Sequence, residues 1–121
     1  MSAQDRELLE LAARAAGIDG EYFEDAAGCA LLVAGVAWNP IRFHHQAKAL
    51  RHHLRLVTGY DARFITTAMG NCAYATYSTG EYTCNSIMQN IEEAGGKRKA
   101  LRLSITRAAA EIGRSLKETN P

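Results

Sequence analysis

The stretch RFITTAMGNCAYATYSTGEYTC, Arg63 to Cys84, divides into short runs rich in β-branched and aromatic residues, punctuated by Gly70-Asn71 and Thr79-Gly80. Arg63 to Met69 and Asn71 to Ser78 fit two strands, and Thr79-Gly80 turns the chain into a third, Glu81 to Cys84. Connections this short join antiparallel strands, because a parallel pair needs a crossover of about a dozen residues or more. The expected unit is an antiparallel meander, and a doubly wound parallel sheet is excluded.

Immediately upstream lies WNPIRFHHQAKALRHHLRLV, Trp38 to Val57. Pro40 disfavours the α region for Asn39 and itself suits a first helical position, so Asn39 is expected to cap a helix that Pro40 opens. Phe43, Ala47, Leu50, Leu54 and Val57 then recur at i, i+4, i+7, i+11 and i+14, a buried stripe, and Thr58-Gly59 ends the helix. Trp38 is a core anchor at the strand-to-helix corner. Before it, Gly28 to Trp38 reads as a buried strand with a bulge or tight turn at Ala34-Gly35. At the N-terminus Ser2 can cap a first helix with Leu8, Leu11, Ala12 and Ala15 on one face, and Gly17 is placed to stop it, with Ile18 folding back.

Downstream, Ile87 to Ala94 fits either a short helix or an edge strand, and Gly95-Gly96 breaks it. Leu101, Ile105, Ala108, Ile112 and Leu116 then mark the apolar face of a long terminal helix. The expected fold is therefore α+β: a small antiparallel sheet of three to four strands packed with three helices, in a single domain spanning residues 1–121.

At 121 residues the chain is long enough to bury a core without disulfides or structural metal. A hydrophobic content of 47% with 22% charged residues is ordinary globular composition, and a formal net charge of +1 argues against both an acidic DNA mimic and a strongly basic nucleic-acid binder. Cys29, Cys72 and Cys84 are an odd number without metal-ligand spacing, so they are expected to be reduced, partly buried apolar residues of a cytosolic protein. The charged start of the chain lacks the apolar run of a signal peptide, and Ala30 to Trp38 is too short to cross a bilayer, so no membrane association is expected.

Leu8 to Gly20 (LLELAARAAGIDG), Trp38-Asn39-Pro40-Ile41 and Arg107 to Gly113 (RAAAEIG) together resemble a family of small phage-encoded proteins of uncharacterised function. These proteins pair a Trp-Asn-Pro helix start with a C-terminal Ala-Ala-Ala-Glu-Ile-Gly helix around a small sheet, in the manner of phage α-β-α sandwich domains. The resemblance implies a phage or prophage accessory role and brings no catalytic residues with it. Acidic residues follow the Trp-Asn-Pro motif in the family pattern, whereas this chain has Arg42-Phe43-His44-His45, a reversal of local charge.

His44, His45, His52 and His53 invite a metal hypothesis, but their spacings of one, seven, eight and nine differ from the i, i+3 or i, i+4 pairs that bring helical ligands together. Residues seven or eight apart are separated by roughly 11 Å along a helix, and no Asp or Glu lies between Ile41 and Tyr60 to complete a shell. No metal site and no cofactor are expected. On a helical wheel His44, His45, Lys48, Arg51, His52 and Arg55 instead share an arc opposite the apolar stripe. Such a face is ordinarily just solvated; its sharper reading is a docking surface for an acidic protein or a phosphate backbone, strengthened by histidine protonation as pH falls.

Lys97, Arg98, Lys99 and Arg102 form a second basic cluster after Gly95-Gly96, a conceivable anion site at a helix start, though without P-loop spacing. Tyr74 and Tyr77 have opposite strand parity, which argues for ordinary cross-strand packing over a base-stacking platform. No G-x-S-x-G, H-E-x-x-H or dinucleotide-binding loop is present. The expected function is non-enzymatic: an accessory protein that binds a host or phage macromolecule, as a stoichiometric inhibitor of a bacterial defence system. Weak nucleic-acid binding through the basic helix is the alternative, and nucleotide or small-molecule sequestration near Gly95-Gly96 or between the subunits of a homodimer is a third.

Overall fold

A computed structural model describes residues 3–26, 28–61 and 71–119. The chain runs α1 (Ala3–Ala16), β1 (Glu21–Asp25), β2 (Gly28–Val33), β3 (Val36–Trp38), α2 (His44–Leu54), β4 (Val57–Asp61), β5 (Cys72–Ser78), β6 (Cys84–Asn90), α3 (Ile91–Ala94) and α4 (Lys97–Thr119). The expected cap at Ser2 and the expected strand Arg63 to Met69 lie outside the described residues.

The α+β class and the antiparallel pairing hold, but the strands form two three-stranded sheets, β1-β2-β3 and β4-β5-β6, where one sheet was expected. The expected order of layers also changes. β2 packs on α1, the β4-β5-β6 sheet packs on α4, and α1 lies against α4, so the two longest helices sit between the sheets. One continuous core joins them, with Leu9 and Ala12 from α1, Leu31 and Trp38 from the first sheet, Ala75 from the second and Ile105, Ala108 and Ala109 from α4. The domain is therefore single.

α1 stops where expected. Gly17 takes φ 70°, and Ile18 N–H returns to Ala13 O at 2.9 Å, the wrap that left-handed glycine allows at a helix end. Strand β1, Glu-Tyr-Phe-Glu-Asp, escapes a search for β-branched runs because three of its five residues are acidic; it is recruited by pairing with β2. The segment Gly28 to Trp38 takes the tight turn at Ala34-Gly35 and so forms a two-stranded hairpin, buried at Cys29, Ala30, Leu31 and Trp38 but exposed at Leu32 and Val36. Val33 pairs with Val36, and the two turn residues Ala34 and Gly35 have φ of 51° and 82°, the positive values a two-residue hairpin turn requires.

Three boundaries differ from expectation. The helix expected over Ile41 to Val57 covers only His44–Leu54, because residues 39–43 form a separate turn and Arg55 leaves the helix in the left-handed region, φ 55°. Val57, Thr58 and Gly59 are consequently not a helix end but the start of β4, and Val57 is 62% exposed instead of closing a buried stripe. The third meander strand is Cys84–Asn90, not Glu81 to Cys84; residues 79–83 form the loop that Thr79 closes on Thr83. Ile87 to Ala94 proves to be both of its alternatives in succession. Strand β6 runs to Asn90, whose Oδ1 accepts from Glu93 N–H at 2.9 Å and starts the single turn α3.

Trp38 is buried at the corner as expected. Tyr77 packs on the core from the face of β5 that meets α4, while Tyr74 lies on the opposite face across Gly59, and Tyr82 is 90% exposed in the loop. Among the described residues no helix is long and apolar enough to cross a membrane.

Candidate functional site

Asn39 sets the position of α2. Its Oδ1 accepts from Ile41 N–H at 3.0 Å and Arg42 N–H at 3.3 Å, its backbone carbonyl accepts from Arg42 and Phe43, and its Nδ2 donates to Cys29 O at 2.8 Å. Asn39 thus caps the turn that contains Pro40, not the helix itself; α2 starts four residues later at a Phe43 cap with no side-chain bond. Gln46, one turn into α2, reaches back. Its Nε2 donates to Ala37 O at 2.8 Å and its Oε1 accepts from Asn39 N–H at 2.6 Å, so one amide side chain meets the backbone of the β3 end as a neighbouring strand would. The corner is clamped from both sides, and every buried polar side-chain atom among the described residues has a partner.

With the helix fixed, its periodicity sets the direction of each polar side chain on α2. At roughly 100° per residue, His44, Lys48 and Arg51 share one flank, His45 and His52 the crest, and Gln46 and His53 the other flank. Leu50 and Ala47 are buried beneath. Arg55 is the left-handed residue after the helix, with its N–H returned to Arg51 O and His52 O, and so does not continue the row. Of the six residues on the expected arc, His44, Lys48 and Arg51 border a groove, while His45 and His52 are exposed.

The His44/Lys48/Arg51 flank borders a groove of about 250 Å³ between α2, β4 and α4, lined also by Ala47, Thr58, Leu101, Arg102 and Ile105. Ala47, Leu101 and Ile105 supply an apolar floor, and four basic side chains from two helices rim it. Arg102 is held there by a bond from its Nε to Ile41 O at 2.7 Å, which uses one of the five guanidinium donors. Ion pairs among the described residues join Arg6 to Glu10 and Arg114 to Glu7 and Glu111; none involves a basic residue of this groove.

The second predicted cluster is only partly brought to the same place. Arg98 and Arg102 are four residues apart on α4, as are Lys97 and Leu101, so Lys97 and Arg98 continue the groove-side face by one turn. Lys97 Nζ lies 5.6 Å from the centroid of the Tyr60 ring, a cation-π placement. Lys99 instead is exposed beside the α3–α4 turn, its side chain next to Gly95. Gly95 and Gly96 take φ of 93° and 130° and return their N–H groups to Glu92 and Ile91, which makes them the end of α3.

Sequence reasoning missed the floor. Leu101 and Ile105 are visible as an apolar repeat, but the repeat alone does not tell core from groove; Thr58 was assigned to a helix end. Among the described residues no group of three His, Cys, Asp or Glu side chains is arranged to hold a metal. The Tyr22 hydroxyl donates to Glu24 Oε1 at 2.8 Å, and this bond, reinforced by burial and by Cys29, holds the phenol well above its usual range. It lies on the other sheet from the groove and has no part in it.

No protein-family model, no curated protein and no solved structure matches this chain.

Proposed function

We propose that this chain is a non-enzymatic binding protein that docks an acidic protein partner on the groove-side flank of α2. One observation carries the reading: His44, Lys48, Arg51 and Arg102 converge from two helices on a groove with an apolar floor, and no described carboxylate pairs with them. Lys48, Arg51 and Arg102 carry like charge, so an acidic partner would relieve their mutual repulsion and be steered to the site. The resemblance of the Trp38-Asn39-Pro40 and Ala108–Gly113 motifs to small phage proteins supports a phage accessory role, with stoichiometric inhibition of a host defence protein as its specific form. The test is capture of partners from bacterial lysate by the unmodified chain and by K48E/R51E. Loss of one specific protein in the variant, with the fold retained, is the expected result; identical captures exclude this face.

Weak nucleic-acid binding is the second reading, favoured by the continuation of the basic row through Arg98 and Lys97 on α4. A salt titration separates the two. Binding to phosphates falls steeply and linearly in log-log form as salt rises, while an interface with an apolar centre retains affinity.

A further inference from the structure

We propose that the groove between α2, β4 and α4 seats one large apolar side chain of an acidic peptide segment, whose flanking carboxylates meet His44, Lys48, Arg51 and Arg102. The inference rests on the reading of this flank as a site for an acidic protein and specifies the chemistry of the segment that enters it.

Size and charge both point to this occupant. Pockets that enclose a whole small ligand have volumes of roughly 300–1,000 Å³, and this groove, at about 250 Å³, falls below that range. A single Leu- or Phe-sized side chain suits it better. The floor of Ala47, Leu101 and Ile105 offers dispersion and burial to an apolar group, which a phosphate backbone does not possess. The rim is cationic on both the α2 and the α4 side, so a segment lying across the groove meets positive charge before and after its anchor. Arg102, tied to Ile41 O, presents its guanidinium without having to be ordered on binding.

Three other grooves lack this combination. The one beside Tyr77, Ser78 and Leu116 contains Glu111 and Arg114, which pair with each other. The one beside Ala13 and Leu31 mixes Glu10 and Asp19 with Arg14. The apolar cleft beside Trp38 and Leu50, about 160 Å³, has His53 as its single titratable neighbour. Only the α2–β4–α4 groove among these four joins an apolar floor to a rim of one sign.

The test is an array of fluorescein-labelled twelve-residue peptides in which a central Leu, Phe, Ala or Ser is flanked by four Glu or by four Gln, read by fluorescence anisotropy against the full chain. Leu- or Phe-centred acidic peptides are expected to bind about tenfold tighter than Ala-centred ones, which corresponds to about 1.4 kcal/mol, and the Gln-flanked series is expected to lose binding. Amide shifts in a ¹⁵N spectrum of the unmodified chain are expected at Ala47, Thr58, Leu101 and Ile105. Thr58→Trp, which plugs the groove, is expected to abolish binding, and the shift map locates the site independently should that variant not fold. Equal affinity for Leu- and Ala-centred acidic peptides would overturn the anchor while leaving the acidic-protein reading intact. No binding across the array overturns the anchor as well, and the K48E/R51E lysate capture then judges the broader reading separately. Tighter binding of a twelve-nucleotide single-stranded DNA than of any peptide, or a dimer in sedimentation that K48E/R51E disperses, assigns the groove to a different occupant and overturns the proposal.

Discussion

Gly113 of α4 lies directly against the backbone carbonyl of Leu11 in α1, so close that a methyl group at position 113 would overlap the carbonyl oxygen. The Ala-Ala-Ala-Glu-Ile-Gly run therefore has a physical purpose in this chain: Ala108, Ala109 and Ala110 are buried and Gly113 lets the backbones of the two central helices approach. Gly113→Ala tests it with two opposed effects. Alanine favours an exposed helix interior by about 1 kcal/mol over glycine, whereas overpacking a core contact costs about 1–3 kcal/mol and sometimes more. Because the obstacle is backbone and cannot rotate away, the second effect wins, and urea unfolding is expected to show net destabilisation. A variant as stable as the parent would show that α1 can shift freely.

The Asn39–Gln46 clamp is expected to be strongly coupled. Gln46→Ala leaves Asn39 N–H and Ala37 O without their side-chain partner, and Asn39→Ala removes the turn cap and the bond to Cys29 O. Each unsatisfied buried group costs about 1–3 kcal/mol, so both single variants are expected to lose stability in that range or above. The double variant should lose less than the sum, since both act on one corner. Strict additivity in a double-mutant cycle would mean that the two side chains work independently.

The basic flank of α2 should trade stability against binding. Lys48 is three residues from Arg51, so Lys48→Glu replaces an i, i+3 repulsion with attraction, about 0.3–0.5 kcal/mol at a helix surface. Thermal unfolding is expected at the same or a slightly higher temperature while partner capture falls. A marked loss of stability would show that Lys48 supports the fold.

Tyr22 gives a pH signature. Its phenol, raised by the bond to Glu24, stays neutral in the fold beyond the ordinary phenol value of about 10. The raised value favours the folded state at pH below that of the unfolded phenol, and the contribution is lost as pH climbs through the folded value. Absorbance titration of the tyrosines is expected to show one late phenolate step that Tyr22→Phe removes and Glu24→Gln brings earlier. Persistence of the late step in Tyr22→Phe would assign it to another tyrosine.

The thiols should divide two to one. Cys29 and Cys72 are buried and Cys84 is exposed at the start of β6, which corrects the expectation that all three are partly buried. A thiol reagent is expected to modify Cys84 in the native protein and the other two after denaturation. Rapid native modification of two or three thiols would contradict this burial.

Legibility followed the strength of local signals. The spans of α1 and α4 could be read from apolar repeats and from Gly17 because a long amphipathic helix announces itself over several turns. The antiparallel pairing could be read from short turns. Strand β1 could not, since Glu21, Glu24 and Asp25 oppose strand propensity and only pairing with β2 holds them extended. The end of α2 was misplaced because Leu54, Leu56 and Val57 keep an apolar pattern through the point where Arg55 reverses the backbone. For the candidate site, the cations were visible and the groove was not: Thr58, Leu101 and Ile105 come from elements far apart along the chain.

Composition and periodicity alone establish an α+β chain with long amphipathic helices, short antiparallel strands and a concentration of basic residues after Trp38-Asn39-Pro40. They do so because these properties are local, set by one to three turns of backbone. Folding the chain added what depends on distant partners: two sheets in place of one, helices between them, and the division of the α2 cations into a flank that faces a groove and a crest that faces water. That division is fixed by the rotation of α2 about its axis, which Asn39, Gln46 and the packing of Leu50 hold from outside the periodic pattern itself.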